Sequence, residues 1–98
     1  MLRLWIDDER PMREGFDVHA KTAEEAISIL SQGNVEHVSF DHDLGGEKTG
    51  NDVAKWIEEQ AYVNDFPKIT WDVHSANPPG AANIRAAMNS CERIWNSR

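Results

Sequence analysis

The sequence predicts an α/β fold: an open, mostly parallel sheet of about four strands with flanking helices. Three observations carry this expectation. Short apolar runs alternate along the chain with longer segments whose apolar residues recur at helical spacing. Several of these runs end in polar clusters, as strands of an open α/β sheet do when they deliver ligand-binding side chains to one edge. The chain has 98 residues and 40% hydrophobic content, enough for a single modest core, so one domain spanning 1–98 is expected.

Taken in order, Leu2-Arg3-Leu4-Trp5-Ile6 reads as a buried first strand that ends in Asp7-Asp8. Phe16 to Ala20 is a weaker second strand. Thr22-Ala-Glu-Glu25 forms a capping box, after which Ala23, Ala26, Ile27 and Leu30 share one helical face until Gly33 closes the segment. Val35 to Phe40 is the third strand and delivers Asp41. Asn51 or Asp52 is expected to cap a second helix that buries Val53, Trp56, Ile57 and Ala61, with Pro67 beyond its end. Ile69 to Val73 is a fourth strand, rich in β-branched and aromatic residues. Asn77 before Pro78-Pro79 starts a last helix, along which Ile84, Met88, Cys91 and Trp95 follow at one face. One link is unusual. Only Asp8 to Gly15 separates the first two strands, too little for an ordinary parallel crossover, so either the crossover is shortened or the second strand runs antiparallel at an edge.

Composition excludes several function classes. The net charge of −7 disfavours bulk binding to a nucleic-acid backbone, DNA included, although a metal-filled site can still receive a phosphate. The single cysteine, Cys91, rules out an intrachain disulfide and a Cys-based zinc cluster and fits a reducing compartment. No apolar run approaches the ~20 residues of a membrane span, and Met1-Leu2-Arg3 does not begin a signal peptide, so a cytoplasmic protein with no membrane partner is expected.

Three predicted strands end in polar groups on the same edge: Asp7-Asp8, Asp41-His42-Asp43 and His74-Ser75. Converging carboxylates repel one another unless a cation or a proton neutralises them, and an all-oxygen set suits Mg²⁺ or Mn²⁺. Asp7, Asp8, Asp41 and Asp43 are therefore the expected metal ligands. Strand alternation predicts Asp41 and Asp43 on one side and His42 on the other, if the extended backbone persists that far. Ser75, with the Asn77 to Gly80 helix start, offers a hydroxyl and backbone N–H groups to a phosphate oxygen. His42 and His74 can exchange protons near neutral pH, whereas His19 and His37 are read as structural or exposed. The alternative for each acid is a solvated turn, and Asp43 alone is also a candidate for organising Gly45-Gly46.

In this order the residues resemble the receiver domains of two-component signalling. A strand ends in an acidic pair (Asp7-Asp8), a third strand ends in Asp41 followed three residues later by Leu44-Gly45, and a fourth ends in Ser75-Ala76. The resemblance implies a receiver/flavodoxin-like sheet in which the acidic pair holds Mg²⁺, Asp41 accepts a phosphoryl group and Ser75 contacts it. Most of the first helix is absent, and so are counterparts of the fifth strand, with its phosphate-contacting Lys, and the last helix. A conventional phosphorylation switch is accordingly not expected. The segments "LWIDDERP", "SFDHDLGG", "TGNDVAKWI" and "VHSANPPGAANI" resemble a receiver-derived family, the cyclic-phosphate processing receiver domain. That likeness implies a metal-dependent phosphoesterase acting on an RNA 2′,3′-cyclic end or a cyclic nucleotide. Catalysis then falls to Asp41, His42 and His74, phosphate binding to Ser75, Asn77 and Gly80, and Mg²⁺ or Mn²⁺ to the four aspartates. The competing expectation is a non-catalytic, degenerate receiver that binds a nucleotide or a protein partner through the same pocket.

Overall fold

The computed structural model describes all residues, 1–98. Seven elements follow one another: β1 (Leu2–Ile6), β2 (Val18–Ala20), α1 (Ala23–Ser31), β3 (Val35–Phe40), α2 (Gly50–Val63), β4 (Thr70–Val73) and α3 (Pro78–Asn96). The strands form one sheet in the order β2-β1-β3-β4, and every pairing is parallel. The architecture is a receiver/flavodoxin-like α/β fold.

The first link is the shortened crossover, and its feasibility follows from the length of β2. Val18 to Ala20 pair only with Leu4 to Ile6, so the chain has to return about 7 Å along the strand at ~3.3 Å per residue. No helix is needed for so short a return. The expected second strand loses its first two residues for the same reason: Phe16 is in the loop and lays its ring edge-on to Trp5, 5.2 Å between centroids. Arg13 stacks over the same indole at 4.9 Å.

Strand alternation divides the sheet. Leu4, Ile6, Val38 and Phe40 join buried residues of all three helices, among them Leu30, Ile57, Ile84 and Met88, in one apolar cluster. Burying each such side chain contributes about 1.5–3 kcal/mol, which is why these faces select the packing. The intervening residues Trp5, Ser39 and Asp41 point the other way, towards the loop that carries Phe16 and Arg13. Cys91 lies in the helical core, where burial pushes its thiol up to about 12 and leaves it unreactive.

The helix ends show how the strand-end loops are held. Thr22 caps α1 by accepting the Glu25 amide at 3.1 Å, the forward half of the expected capping box, while the Glu25 carboxylate meets the Thr22 hydroxyl at 3.4 Å and not the Thr22 amide. For α2 the cap is Thr49, not Asn51 or Asp52. Asp52 is instead the third helical residue, and its Oδ2 accepts the Thr49 amide at 2.7 Å. Asn77 caps α3 by accepting the Gly80 amide at 3.0 Å, with proline at the first helical positions. No helix is long and apolar enough to cross a membrane.

Candidate functional site

The site begins one residue beyond the strands. Ile6, Phe40 and Val73 stand side by side in the sheet. The ladder continues past them, with the Asp7 amide bonded to Ala20, Asp41 to Ile6 and His74 to Phe40 at 2.9–3.1 Å. Asp7, Asp41 and His74 therefore form the next row, on neighbouring strands ~4.8 Å apart, with side chains on the same face. Asp8 follows at the turn. One carboxylate oxygen from each of Asp7, Asp8 and Asp41 lies within 4.8 Å of the others. Beside them opens a cavity of about 230 Å³ lined by Asp8, Glu9, Arg10, Asp41, Asp43, Leu44 and Ala76.

The fourth expected ligand, Asp43, sits on the rim outside that cluster. The strand ends at Phe40, so strict alternation does not carry through His42 to Asp43. Asp43 Oδ1 pairs with His42 Nδ1 at 3.0 Å, and the Asn77 amide nitrogen lies 3.4 Å from both Asp43 oxygens. His42 and Asn77 thereby hold the Asp43 carboxyl below its ordinary range. The His42 ring is pressed against the start of α3. A Cβ on Gly80 would overlap its Cγ and reach within 2.6 Å of Cδ2. Gly50 allows a second close approach: its amide bonds the His42 carbonyl at 2.8 Å, and a Cβ there would overlap the Asp41 carbonyl oxygen.

The expected phosphate contacts divide unequally. The Gly80 amide is spent on the Asn77 side chain, so it is not free to receive an anion. Ser75 Oγ accepts the Asn77 amide at 3.1 Å and keeps its own proton to donate. Of this stretch only Ala76 lines the cavity. Lys48 is exposed in its loop.

The family model of the cyclic-phosphate processing receiver domain matches residues 2–90. The chain belongs to that family. No match was found among curated proteins. The matched span of this cyclic-phosphate processing receiver domain contains every residue of the carboxylate cluster and both strand-end histidines.

Within this receiver domain the three acids are electrostatically unequal. Asp7 is fully buried. Burial alone would raise its carboxyl, but the Arg10 and Glu9 amides, the Arg10 guanidinium and His74 together hold it below the ordinary range. Asp41 moves the opposite way. Burial, and then the nearby Asp7 charge, push its carboxyl up despite the His42 amide on Oδ1. An acid raised by a neighbouring acid is a group that a cation would stabilise.

His74 is a support within the site and does not border the cavity. Its ring stacks on Trp5 at 4.0 Å with a 5° tilt, and both nitrogens are engaged, Nε2 with Asp7 Oδ2 at 3.0 Å and Nδ1 with Ser39 Oγ at 2.8 Å. Burial pushes the imidazole down, with Asp7 opposing. The Ser39 hydroxyl donates to Asp72 Oδ1, and Asp72 Oδ2 meets His37 Nε2 at 3.0 Å. This polar row behind Asp7 has a sequence signal that went unused: His37, Ser39, Asp41 and Thr70, Asp72, His74 each recur at a spacing of two. His19, read as structural or exposed, caps the Asp7 carbonyl through Nε2 at 2.7 Å.

Proposed function

We propose that this domain is a metal-dependent phosphoesterase that opens a cyclic phosphate, either an RNA 2′,3′-cyclic end or a cyclic nucleotide. The observation that carries the proposal is the convergence of the Asp7, Asp8 and Asp41 oxygens to within 4.8 Å beside a polar cavity. Three hard oxygen donors, one of them destabilised by its neighbour, fit Mg²⁺ or Mn²⁺ better than a softer ion. When bound, such a cation polarises a phosphoryl oxygen and lowers the pKa of water.

The protein's own groups take the remaining roles. Asp7, Asp8 and Asp41 hold the cation, and Asp43 orients His42. His42 is the proton carrier in this reading: neither it nor His74 lines the cavity, but its Nε2 makes no hydrogen bond within the protein, whereas both His74 nitrogens are engaged. His74 orients Asp7 through the bond already described. The Ser75 hydroxyl donates to a phosphate oxygen, and Asn77 holds the loop that presents it. Transfer of the phosphoryl group to Asp41, as an aspartyl phosphate, is the covalent variant of this scheme.

The test is a panel of cyclic phosphates incubated with the protein, with and without Mg²⁺ or Mn²⁺. Metal-dependent ring opening that disappears in Asp41→Asn supports the proposal. Binding of the same compounds without turnover would instead make the domain a non-catalytic nucleotide-binding module.

A further inference from the structure

Asp7 has no lone pair to spare. A carboxylate presents about four acceptor positions, and all four are taken here. Oδ1 accepts the Glu9 and Arg10 amides, both at 2.8 Å, while Oδ2 accepts Arg10 Nη1 and His74 Nε2, both at 3.0 Å. Three of these donors are fixed. Two are backbone amides of the turn, and His74 is clamped between Trp5, Ser39 and Asp7. The fourth belongs to a side chain that is 45% exposed, extends along the cavity wall and reaches Asp41 Oδ1 only at 3.8 Å. Its backbone stays anchored through the Arg10 amide and through the Arg10 carbonyl, which accepts Trp5 Nε1 at 3.4 Å.

We propose that Arg10 is a displaceable internal counter-ion: its guanidinium occupies the Asp7 position that a divalent cation needs, and is released by that cation to bind the phosphate of the substrate. The proposal rests on the metal reading above. Cation and guanidinium compete for one carboxylate oxygen, so in the metal-free protein Asp7 keeps its counter-ion and resists loading. Once displaced, the guanidinium remains tethered beside the cavity, and its planar fork matches two phosphate oxygens. Metal binding then prepares the anion site, and the two ligands bind in order.

The experiment measures Mn²⁺ affinity of the whole chain and of Arg10→Gln by calorimetry, then inorganic phosphate affinity with and without Mn²⁺. Arg10→Gln should bind Mn²⁺ about tenfold more tightly, the scale of one charge-assisted hydrogen bond, and should lose the gain in phosphate affinity that Mn²⁺ gives the unaltered protein. Equal or weaker Mn²⁺ binding by Arg10→Gln, with the unaltered protein still binding, would overturn the displacement and leave the metal reading standing. If neither protein binds Mn²⁺, both fail. A second measurement needs no variant: in the unaltered protein, Mg²⁺ should collapse the separate Nη resonances of Arg10 as its guanidinium becomes free to rotate, and resonances unchanged at saturating Mg²⁺ would refute release.

Discussion

Replacing Gly80 with alanine places a methyl group where the His42 ring already lies. The new Cβ would stand 2.6 Å from Cδ2 and 2.7 Å from Nδ1, against the 3.4–4 Å of ordinary contact, so the ring has to move by roughly 1 Å. Overpacking of this kind costs about 1–3 kcal/mol. Alanine repays up to ~1 kcal/mol through its better helix propensity, less so in the first turn where Gly80 sits. A net loss of about 1–2 kcal/mol is expected, which for a chain of 98 residues lowers Tm by roughly 5–10 °C. Thermal unfolding followed by circular dichroism reads this directly. The decisive comparison is the same substitution in a His42→Ala background, where the ring is gone and Gly80→Ala should become neutral or stabilising. An equal loss in both backgrounds would refute the reasoning, because the cost would then come from the helix start and not from the imidazole.

Asp41→Asn should act with opposite signs in two conditions. Without metal it removes a buried charge that burial and Asp7 disfavour, and two such charges within 4.8 Å repel by roughly 3 kcal/mol at an effective dielectric of ~20, partly offset by Arg10. A net gain of about 1 kcal/mol, or ~5 °C in Tm, is expected. With millimolar Mg²⁺ the unaltered protein should gain stability by mass action, about 2.7 kcal/mol at a hundredfold excess over Kd, and the variant should gain none. Acid unfolding should depend on Asp7. Its carboxyl is held below the ordinary ~3.9, so its contribution is complete above that value and disappears as pH falls through the lower folded value. Asp7→Asn should flatten the stability profile below about pH 4, measured by urea unfolding. On a cyclic phosphate, His42→Ala should lower turnover roughly 10²–10⁴-fold with Mn²⁺ affinity nearly intact, and full activity would remove His42 from the proton-transfer role.

The helices were legible because their signals are local. The Thr22 cap, the proline start after Asn77 and the Ile84-Met88-Cys91-Trp95 stripe each belong to a single element and appear as read, although the reciprocal half of the Thr22–Glu25 box is missing. The direction of β2 was not legible, since it turns on a distance in space: three residues of pairing shorten the return that the loop must span. The convergence of Asp7, Asp8 and Asp41 was visible because parallel strands present their ends on one edge. The placement of His42 was not. It depends on where β3 stops and on a ring seated against a glycine 38 positions later, at residue 80. For Arg10 the sequence leaves two readings equally open, a supplement to the metal site or phosphate anchor and an exposed salt-bridged loop, and its bond to Asp7 depends on how the turn after β1 folds.

The short crossover between β1 and β2 bears on how the molecule opens. The same run that returns the chain to the edge of the sheet also carries Asp8 and Arg10 and lays Phe16 and Arg13 against Trp5. With three residues of pairing, β2 has little hydrogen bonding of its own to resist fraying. Edge strand and crossover are thus one cooperative unit of low local stability, and amide protons of Val18 to Ala20 should exchange with solvent together with those of Glu9 and Arg10. Occupancy of the carboxylates would slow exchange in both segments at once. Cation binding at the carboxylates would then be coupled to the breathing of a sheet edge about ten residues downstream.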